Sequence, residues 1–496
     1  MGDATLLSKL PLAEAFEAQY LEQWGILPLE VAGERLRVAV AGDPTPEVLE
    51  DLELSFGVPL ELVVVSRDDL NDAIQRTFAA SESIMELVKD LDAEIGADLS
   101  DGGLADVRDL ANQPPVIRYV NLLIKEAHDA RASDIHLEST RGGLHARFRI
   151  DGVLTDVPGP PKGMQAAVVS RMKLLAELDI AERRAPQDGR IRVRLEEREL
   201  DLRVSTVPTL YGESVVLRLL DRGGRPVGLD ELGMGPETLD TFRRLAERPH
   251  GIVLATGPTG SGKTTTLYAA LDLRHRTAEK IITVEDPVEY HLEGVTQVPV
   301  NLKAGMTFGG ALRSILRQDP DVLMVGEMRD GETAAIAVQA ALTGHLVFST
   351  LHTNDAPSAI TRLVDLKVEP YLIAATVEGV LAQRLVRKIC PDCRVRYAPD
   401  PGAVALLAQQ PVGRQMLERG KGCPACRGTG YRGRTGLFEL LLVTDEIKQG
   451  LLKSPSAGAL REIAHAQGMT TLRQDGWRKV QAGITTVEEV LRVADQ

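Results

Sequence analysis

Residues 257–264 read Gly257-Pro258-Thr259-Gly260-Ser261-Gly262-Lys263-Thr264, followed by Thr265. The octet fits G-x-x-x-x-G-K-[ST] at every fixed position. Its context fits as well: the apolar run GIVLAT precedes it and the helical run TTLYAALDL follows. Glycines let the backbone curl so that its N–H groups face a phosphate, and the following helix start adds positive dipole. The pattern predicts that residues 257–265 cradle a nucleoside triphosphate, ATP. Lys263 then meets the β- and γ-phosphates, and the Thr264 hydroxyl ligates Mg²⁺.

Short apolar or β-branched runs recur outward from this loop, at 280–285, 322–325 and 345–351, with helical patterns between them. Such alternation predicts a mostly parallel sheet with helices on both faces over residues 236–496. Ligands gather at the C-terminal edge of such sheets. Glu327 follows the run DVLMVG at that edge, suited to bind Mg²⁺ through water or to orient the attacking water. Glu285 and Asp286, after IITV, are expected there too, leaving open whether Glu327 or Glu285 activates water. His352, after HLVFSTL, is a candidate γ-phosphate sensor, whereas His345 at the strand start reads as structural. Extra positive charge is needed on the γ-phosphate in the transition state. Arg313 and Arg317, four apart in ALRSILRQ, are expected to share a helix face. Arg203 and Arg218 sit among apolar neighbours on strand-like runs, which makes simple solvation of either a poor explanation.

The chain has 496 residues, with 57 Lys+Arg against 71 Asp+Glu, a net charge of −14. Residues 1–110 carry 24 acidic and 7 basic side chains, so −17, and the remainder is +3. This contrast marks a boundary near residue 110. Residues 1–80 read as a small α/β domain, with strand-like runs at 36–40 and 60–65 and helical patterns at 46–56 and 67–78. Residues 81–112 read as an acidic linker. Residues 113–232 form a second α/β pattern rich in arginine: a helix from Pro114, strands at 134–138, 144–150, 190–195, 202–207 and 214–220, and a helix at 164–178. Net acidity and 4% aromatic content argue against nucleic acid as a partner. No run approaches ~18 consecutive apolar residues, so no membrane-spanning helix is expected. The segment MGDATLLSKLPLAEAFEAQY lacks the pattern of a secretory signal, and a cytoplasmic location is expected.

All 4 cysteines fall in one constellation, Cys390-x₂-Cys393 and Cys423-x₂-Cys426. Each Cys-x₂-Cys turn offers two thiolates to one tetrahedral edge, and two turns close a Zn²⁺ shell. The 29-residue spacer exceeds the usual zinc-ribbon spacing and must itself be partly structured. Residues 381–440 carry 11 basic and 4 acidic side chains. This basic insert, about residues 386–440, is suited to face anionic lipid headgroups or an acidic partner.

Together the motifs point to a family. GPTGSGKTTTLYAAL, ITVEDPVEY, LRQDPDVLMVGEMRD and TGHLVFSTLHTNDA resemble the Walker A, Asp-box, Walker B and His-box segments of the secretion and type IV pilus ATPases. RASDIHLE, RRAPQDGRIRVRL and LRVSTVPTLYGESVVLRLLD look like that family's second N-terminal domain, and CPDC with CPAC like its tetracysteine insert. The resemblance spans about residues 113–496 and is strongest to the type II secretion branch. It implies a RecA-like ATPase domain with a zinc insert, preceded by two small α/β domains. It also implies a homohexamer in which Arg203, Arg218, Arg313 and Arg317 act on phosphates. The implied partners are the cytoplasmic domain of an inner-membrane anchor, which the first domain docks on, and an inner-membrane platform protein. Turnover then drives pseudopilus assembly and protein export, with extension of a type IV pilus as the alternative. One departure from many P-loop ATPases stands out: the Walker B segment ends Gly326-Glu327 rather than in paired carboxylates, which is usual for the resembled family.

Overall fold

A computed structural model describes residues 18–32, 35–42, 44–56, 58–67, 111–195, 198–221, 227–274, 277–408 and 416–494, with isolated positions between 70 and 91. Most of the helical reading at 67–78 and of the linker reading at 81–112 lies outside the described residues. The described residues form two compact units.

In the first unit, helix α1 (Ala18–Trp24) is followed by strands β1 (Ile26–Ala32) and β2 (Arg35–Val40), helix α2 (Pro46–Phe56) and strand β3 (Leu60–Val64). β1 and β2 pair antiparallel, and β2 and β3 parallel. Leu21, Ile26, Leu27, Leu36, Val38 and Leu52 are buried between sheet and helices. Then come α3 (Pro114–Asp129), β4 (Ala132–Thr140), β5 (Gly143–Ile150), β6 (Val153–Val157), α4 (Gln165–Leu175), β7 (Gln187–Leu195), β8 (Arg198–Thr209) and β9 (Gly212–Asp221). These strands form one sheet in the order β6-β5-β4-β9-β8-β7.

Alternation along the strands sorts this sheet into two faces. Ile135, Leu137, Phe148, Leu202, Val204, Val215 and Leu217 are buried on one face. α3, with Tyr119, Val120 and Leu123 buried, packs on β4 and α4. The other face carries charge: Asp134 stands opposite Arg149 on one side and Arg218 on the other, and His136 opposite Arg147.

The second unit starts with α5 (Pro236–Ala246) and β10 (Gly251–Thr256), then α6 (Lys263–Asp272), β11 (Ile281–Glu285), β12 (Thr296–Pro299), α7 (Phe308–Ile315), β13 (Val322–Val325), α8 (Gly331–Leu342), β14 (Leu346–Leu351), α9 (Ala356–Asp365), α10 (Pro370–Thr376) and β15 (Val377–Ile389). After β15 come β16 (Arg394–Tyr397), α11 (Pro401–Ala408), β17 (Leu417–Gly420) and β18 (Tyr431–Leu442). The chain continues through α12 (Asp445–Lys453), α13 (Ala457–Ala466), α14 (Leu472–Gln481) and α15 (Val487–Ala494). The sheet order is β12-β11-β13-β14-β10-β15-β18. Its first six strands run parallel and β18 is antiparallel to β15.

Every residue of β10, β11, β13 and β14 is buried, as a sheet covered on both faces requires. Ile252 and Leu254 pack with α7–α10, whereas Val253 and Ala255 pack with α5 and α6. β15 and β18 pair from Gly379↔Leu442 to Ile389↔Tyr431. Residues 386–389 and 431–440 are therefore sheet strands, and the excursion that carries the cysteines is 390–430. A further apolar cluster, including Val386, Leu407, Leu417, Leu437 and Trp477, lies where this excursion joins the sheet.

Candidate active site

The phosphate loop leaves the end of β10 and closes into α6. Three of its residues, Gly257, Gly260 and Gly262, have φ of +147°, +77° and +87°, a region that favours glycine. Space also demands glycine. A Cβ at Gly257 would stand 2.4 Å from the Gln383 carbonyl oxygen, and one at Gly262 2.8 Å from Gln383 Nε2. The Ser261 Oγ is buried without a hydrogen-bond partner among the described residues. Such a group is satisfied when an acceptor-rich phosphate enters the loop, so the residues present fit the nucleotide the motif implies.

Lys263 opens α6, is 8% exposed, and its Nζ donates to the carbonyls of Gly257 (2.8 Å) and Pro258 (2.9 Å). Burial pushes its ammonium down to about 8; Glu327 opposes this and Arg384 adds to it. Thr264 and Thr265 are half-buried in the first turn of α6.

Glu327 follows β13 at the same sheet edge. Its Oε2 lies 2.6 Å from Arg329 Nε and 3.4 Å from His352 Nε2. Hydrogen bonds to β14 hold the preceding turn: Ser349 Oγ donates to the Val325 carbonyl and Thr350 Oγ1 to the Gly326 carbonyl, both at 2.7 Å. A Cβ at position 326 would stand 3.3 Å from the Val284 carbonyl oxygen. A side chain here, where many P-loop ATPases place a second carboxylate, would press against β11.

Glu285 differs from Glu327 in surroundings. It is 2% exposed and accepts from the Tyr268 hydroxyl, from Thr283 Oγ1 at 2.5 Å and from Gln297 Nε2 at 3.2 Å. Burial and this bond to Glu285 push the Tyr268 phenol strongly up. The carboxylate thus joins α6, β11 and β12 beneath the loop. His345 is at the opposite end of β14, its Nδ1 2.8 Å from the Ala340 carbonyl oxygen, where it closes the α8–β14 turn.

The arginines are not all gathered at this edge. α7 ends at Ile315, so Arg317 lies in the turn beyond it and the expected shared helical face is broken. Pro320 is the reason: it disfavours helix at Asp319, which takes φ +53°. Arg317 Nη1 folds back onto the Arg313 carbonyl at 2.9 Å, and Arg313 pairs with Glu332 at 2.6 Å. The turn then leads to Asp321, whose N–H bonds to the Lys280 carbonyl at the N-terminal edge, away from the phosphate loop of the same chain. Arg203 and Arg218 lie in the first unit and line a groove with Asp134, Asp188 and Arg190. Arg218 Nε pairs with Asp134 Oδ1 at 2.9 Å.

The 4 cysteines converge, with all four sulfurs within 4.8 Å of one another. Sγ separations are 3.9 Å for Cys390–Cys423, 3.8 Å for Cys393–Cys426 and 3.7 Å for Cys423–Cys426. Four ligands at ~2.3 Å in a tetrahedron stand about 3.8 Å apart, so the sulfurs fit Zn²⁺. Burial alone would push the Cys426 thiol up, but the N–H groups of Cys423 and Gly430 bring it down to about 6.

Sequence reading missed Arg329, Gln383 and Arg384. Arg329 had a visible signal, a cation two residues past the acid. Gln383 and Arg384 had none, because they reach the loop from a strand more than 100 residues away.

The type II/IV secretion system protein family model matches residues 109–492. The chain belongs to this family. An MshEN domain model matches residues 3–84. Type II secretion system protein E of Xanthomonas campestris pv. campestris is 46% identical over 498 aligned positions, covering 100% of this chain and 87% of that protein. Type IV pilus assembly ATPase PilB of Myxococcus xanthus is 42% identical, covering 94% of this chain and 83% of its own length. Among solved structures, the pilus retraction motor PilT with bound ADP is 28% identical with TM-score 0.51, covering 75% of this chain and 96% of PilT. The ATPase DotB of Legionella pneumophila, 20% identical with TM-score 0.56, covers 76% of this chain and 96% of its own and shares the fold. This secretion-family member has no helix among its described residues long and apolar enough to cross a membrane.

Proposed function

We propose that the chain is a cytoplasmic, hexameric ATPase motor that drives pseudopilus assembly and protein export in type II secretion. The observation that carries the reading is the convergence of Lys263, Glu327 and His352 on one glycine-rich loop. Lys263 holds the β- and γ-phosphates of the substrate ATP. Glu327, which meets Arg329 and His352 and is free of the Glu285 network, takes the proton of the attacking water. Glu285, its oxygens occupied by three donors, supports α6 instead. His352 senses the γ-phosphate beside Glu327. Mg²⁺ would be held by the Thr264 hydroxyl and, through water, by Glu327, supplying charge neutralisation at the phosphates. Zn²⁺ would be held by Cys390, Cys393, Cys423 and Cys426, and closes the insert.

Arg203 and Arg218 supply positive charge to phosphates in the assembled hexamer. Arg313, paired with Glu332, and Arg317, folded back onto the Arg313 carbonyl, act on phosphates in the assembled hexamer, as the family resemblance implies. The family resemblance supports the anchor-docking role of residues 1–80, the platform partner and the inner-membrane periphery, and the basic insert supports contact with anionic headgroups.

Identities near one half to type II secretion proteins E favour secretion; the pilus assembly ATPase relative keeps pilus extension as the second reading. The purified full chain should hydrolyse ATP, and Glu327→Gln should cut turnover at least ~100-fold while nucleotide still binds. Deleting the gene should trap exported proteins in the periplasm. Loss of surface pili with normal export would instead establish the pilus reading, and a Glu327→Gln variant as active as the parent would remove the motor.

A further inference from the structure

β10 ends at Thr256, which stands opposite Ala382 of β15, but β15 continues to Ile389. The phosphate loop therefore lies alongside Gln383 and Arg384. These neighbours point to opposite faces of the sheet. Gln383 Oε1 accepts from the Thr266 hydroxyl at 2.7 Å, on the α6 side. Arg384, 3% exposed, turns to the other side. Its Nη2 donates to the Asn354 carbonyl at 3.0 Å and its Nη1 to the Gln383 carbonyl at 3.2 Å. The same Nη1 would stand 3.2 Å from a Cβ placed on Gly257.

Asn354 belongs to the segment that carries His352. Thr353 ties this segment to the base of the loop as well: its N–H donates to Thr256 Oγ1 at 2.9 Å, and the two hydroxyls are 2.7 Å apart. The far end is anchored separately. Asp355 caps α9 by accepting from the Ser358 N–H at 2.7 Å and pairs with Arg461, while Glu439 accepts from the Ala356 N–H at 2.9 Å. A guanidinium buried this deeply costs several kcal/mol unless its donors are used and opposite charge is near. Both Nη groups are bonded, and Glu439 and Asp355 are the nearby opposite charges. Its rigid fork spans two carbonyls on different segments, which an ammonium spans less well.

We propose that Arg384 is a positioning residue for ATP turnover, tying residues 352–354 to β15 beside the phosphate loop and so holding His352 in reach of Glu327. This rests on the reading of the chain as an ATPase. Arg384 acts on the segment beside the site and leaves the phosphate cradle intact. The expected signature is therefore a fall in kcat with little change in KM.

The test uses the full chain with Arg384→Gln, Arg384→Lys, His352→Ala and the double variant His352→Ala/Arg384→Gln. Arg384→Gln should lower kcat at least ~10-fold and move KM for ATP less than ~3-fold. Arg384→Lys, which keeps a donor for Asn354, should recover most of the lost kcat. The double variant should be no slower than His352→Ala alone, because both changes remove one function. Additive losses in the double variant, or kcat and KM failing in proportion with no recovery by lysine, overturn the proposal. If Arg384→Gln does not fold, Arg384→Met, which keeps an unbranched side chain and removes every donor, gives the same additivity reading alone and with His352→Ala. A parent protein without turnover would instead overturn the ATPase reading itself, so the two failures are distinguishable.

Discussion

The seven-stranded sheet around β10 and the six-stranded sheet around β4 use charge in opposite ways. The first has six parallel strands, and its central strands β10, β11, β13 and β14 are covered on both faces, so these four carry no exposed charge and the nucleotide chemistry gathers in the loops at one edge. The second is antiparallel where β4 meets β5 and β9, with apolar residues beneath and Asp134, His136, Arg147, Arg149 and Arg218 spread over its other face. An edge site concentrates function in a few side chains whose loss is nearly complete. A charged face shares its field among many, so each loss is partial.

Four outcomes test that contrast, beginning with the largest. Removing Zn²⁺ from four thiolates forfeits on the order of 10 kcal/mol of binding energy. Chelation should melt the 390–430 excursion as a separate transition while nucleotide affinity persists, because the loop is held by the part of β15 before Ile389. Calorimetry with a nucleotide titration reads both, and loss of nucleotide affinity would tie the edge site to the insert. Next, Lys263→Ala should lower kcat/KM about 1,000-fold, about 4 kcal/mol. A loss under tenfold in phosphate release would show that the edge is not where function concentrates.

The third concerns Glu489 on α15. Burial opposes its charge, but Arg387 at 2.5 Å and Arg492 at 2.8 Å bring its carboxyl down to about 2 from 4.5. Folded pKa lies below the unfolded value, so the stabilisation is fully present above about pH 4.5 and lost as pH falls toward 2. Glu489→Gln should cost roughly 2 kcal/mol at neutral pH, after allowance for solvent, and should flatten the acid limb of denaturant stability between pH 4.5 and 2. An unchanged acid limb would remove Glu489 as its cause. The smallest effect belongs to the charged face. Arg218→Gln should lower turnover several-fold, about 1 kcal/mol, with stability within about 0.5 kcal/mol, since Arg218 is mostly exposed beside Asp134. If Arg218→Gln alone matches Lys263→Ala, the face behaves as a single-residue site and the contrast fails.

Local chemistry made much of this legible in advance. The octet at 257–264 encodes its own turn, because the positive φ at Gly257, Gly260 and Gly262 is met most readily by glycine. Two Cys-x₂-Cys turns encode half a metal shell each. Four-residue apolar runs such as 322–325 announce a buried parallel strand, and Glu327 after that run lands at the correct edge. Charge arithmetic separated the acidic first 110 residues from the rest.

Other features depend on what meets in three dimensions. Sequence spacing put Glu285 and Glu327 on an equal footing. Burial and three donors from α6, β11 and β12 tell them apart. Spacing put Arg313 and Arg317 on one helical face, but α7 ends at Ile315 and Arg317 lies in the turn beyond it, its guanidinium folded back onto the Arg313 carbonyl. Gln383 and Arg384 carry no motif, since their role arises only from strand order: β15 pairs beside β10 and overruns it. Contiguous segments, where a residue's neighbours in the chain are its neighbours in space, carry their conformation and chemistry in their own residues. Which carboxylate stands open, which arginine reaches the loop and what clamps it were decided by tertiary structure. Burial and long-range hydrogen bonds are properties of packing between segments and appear in no single one of them.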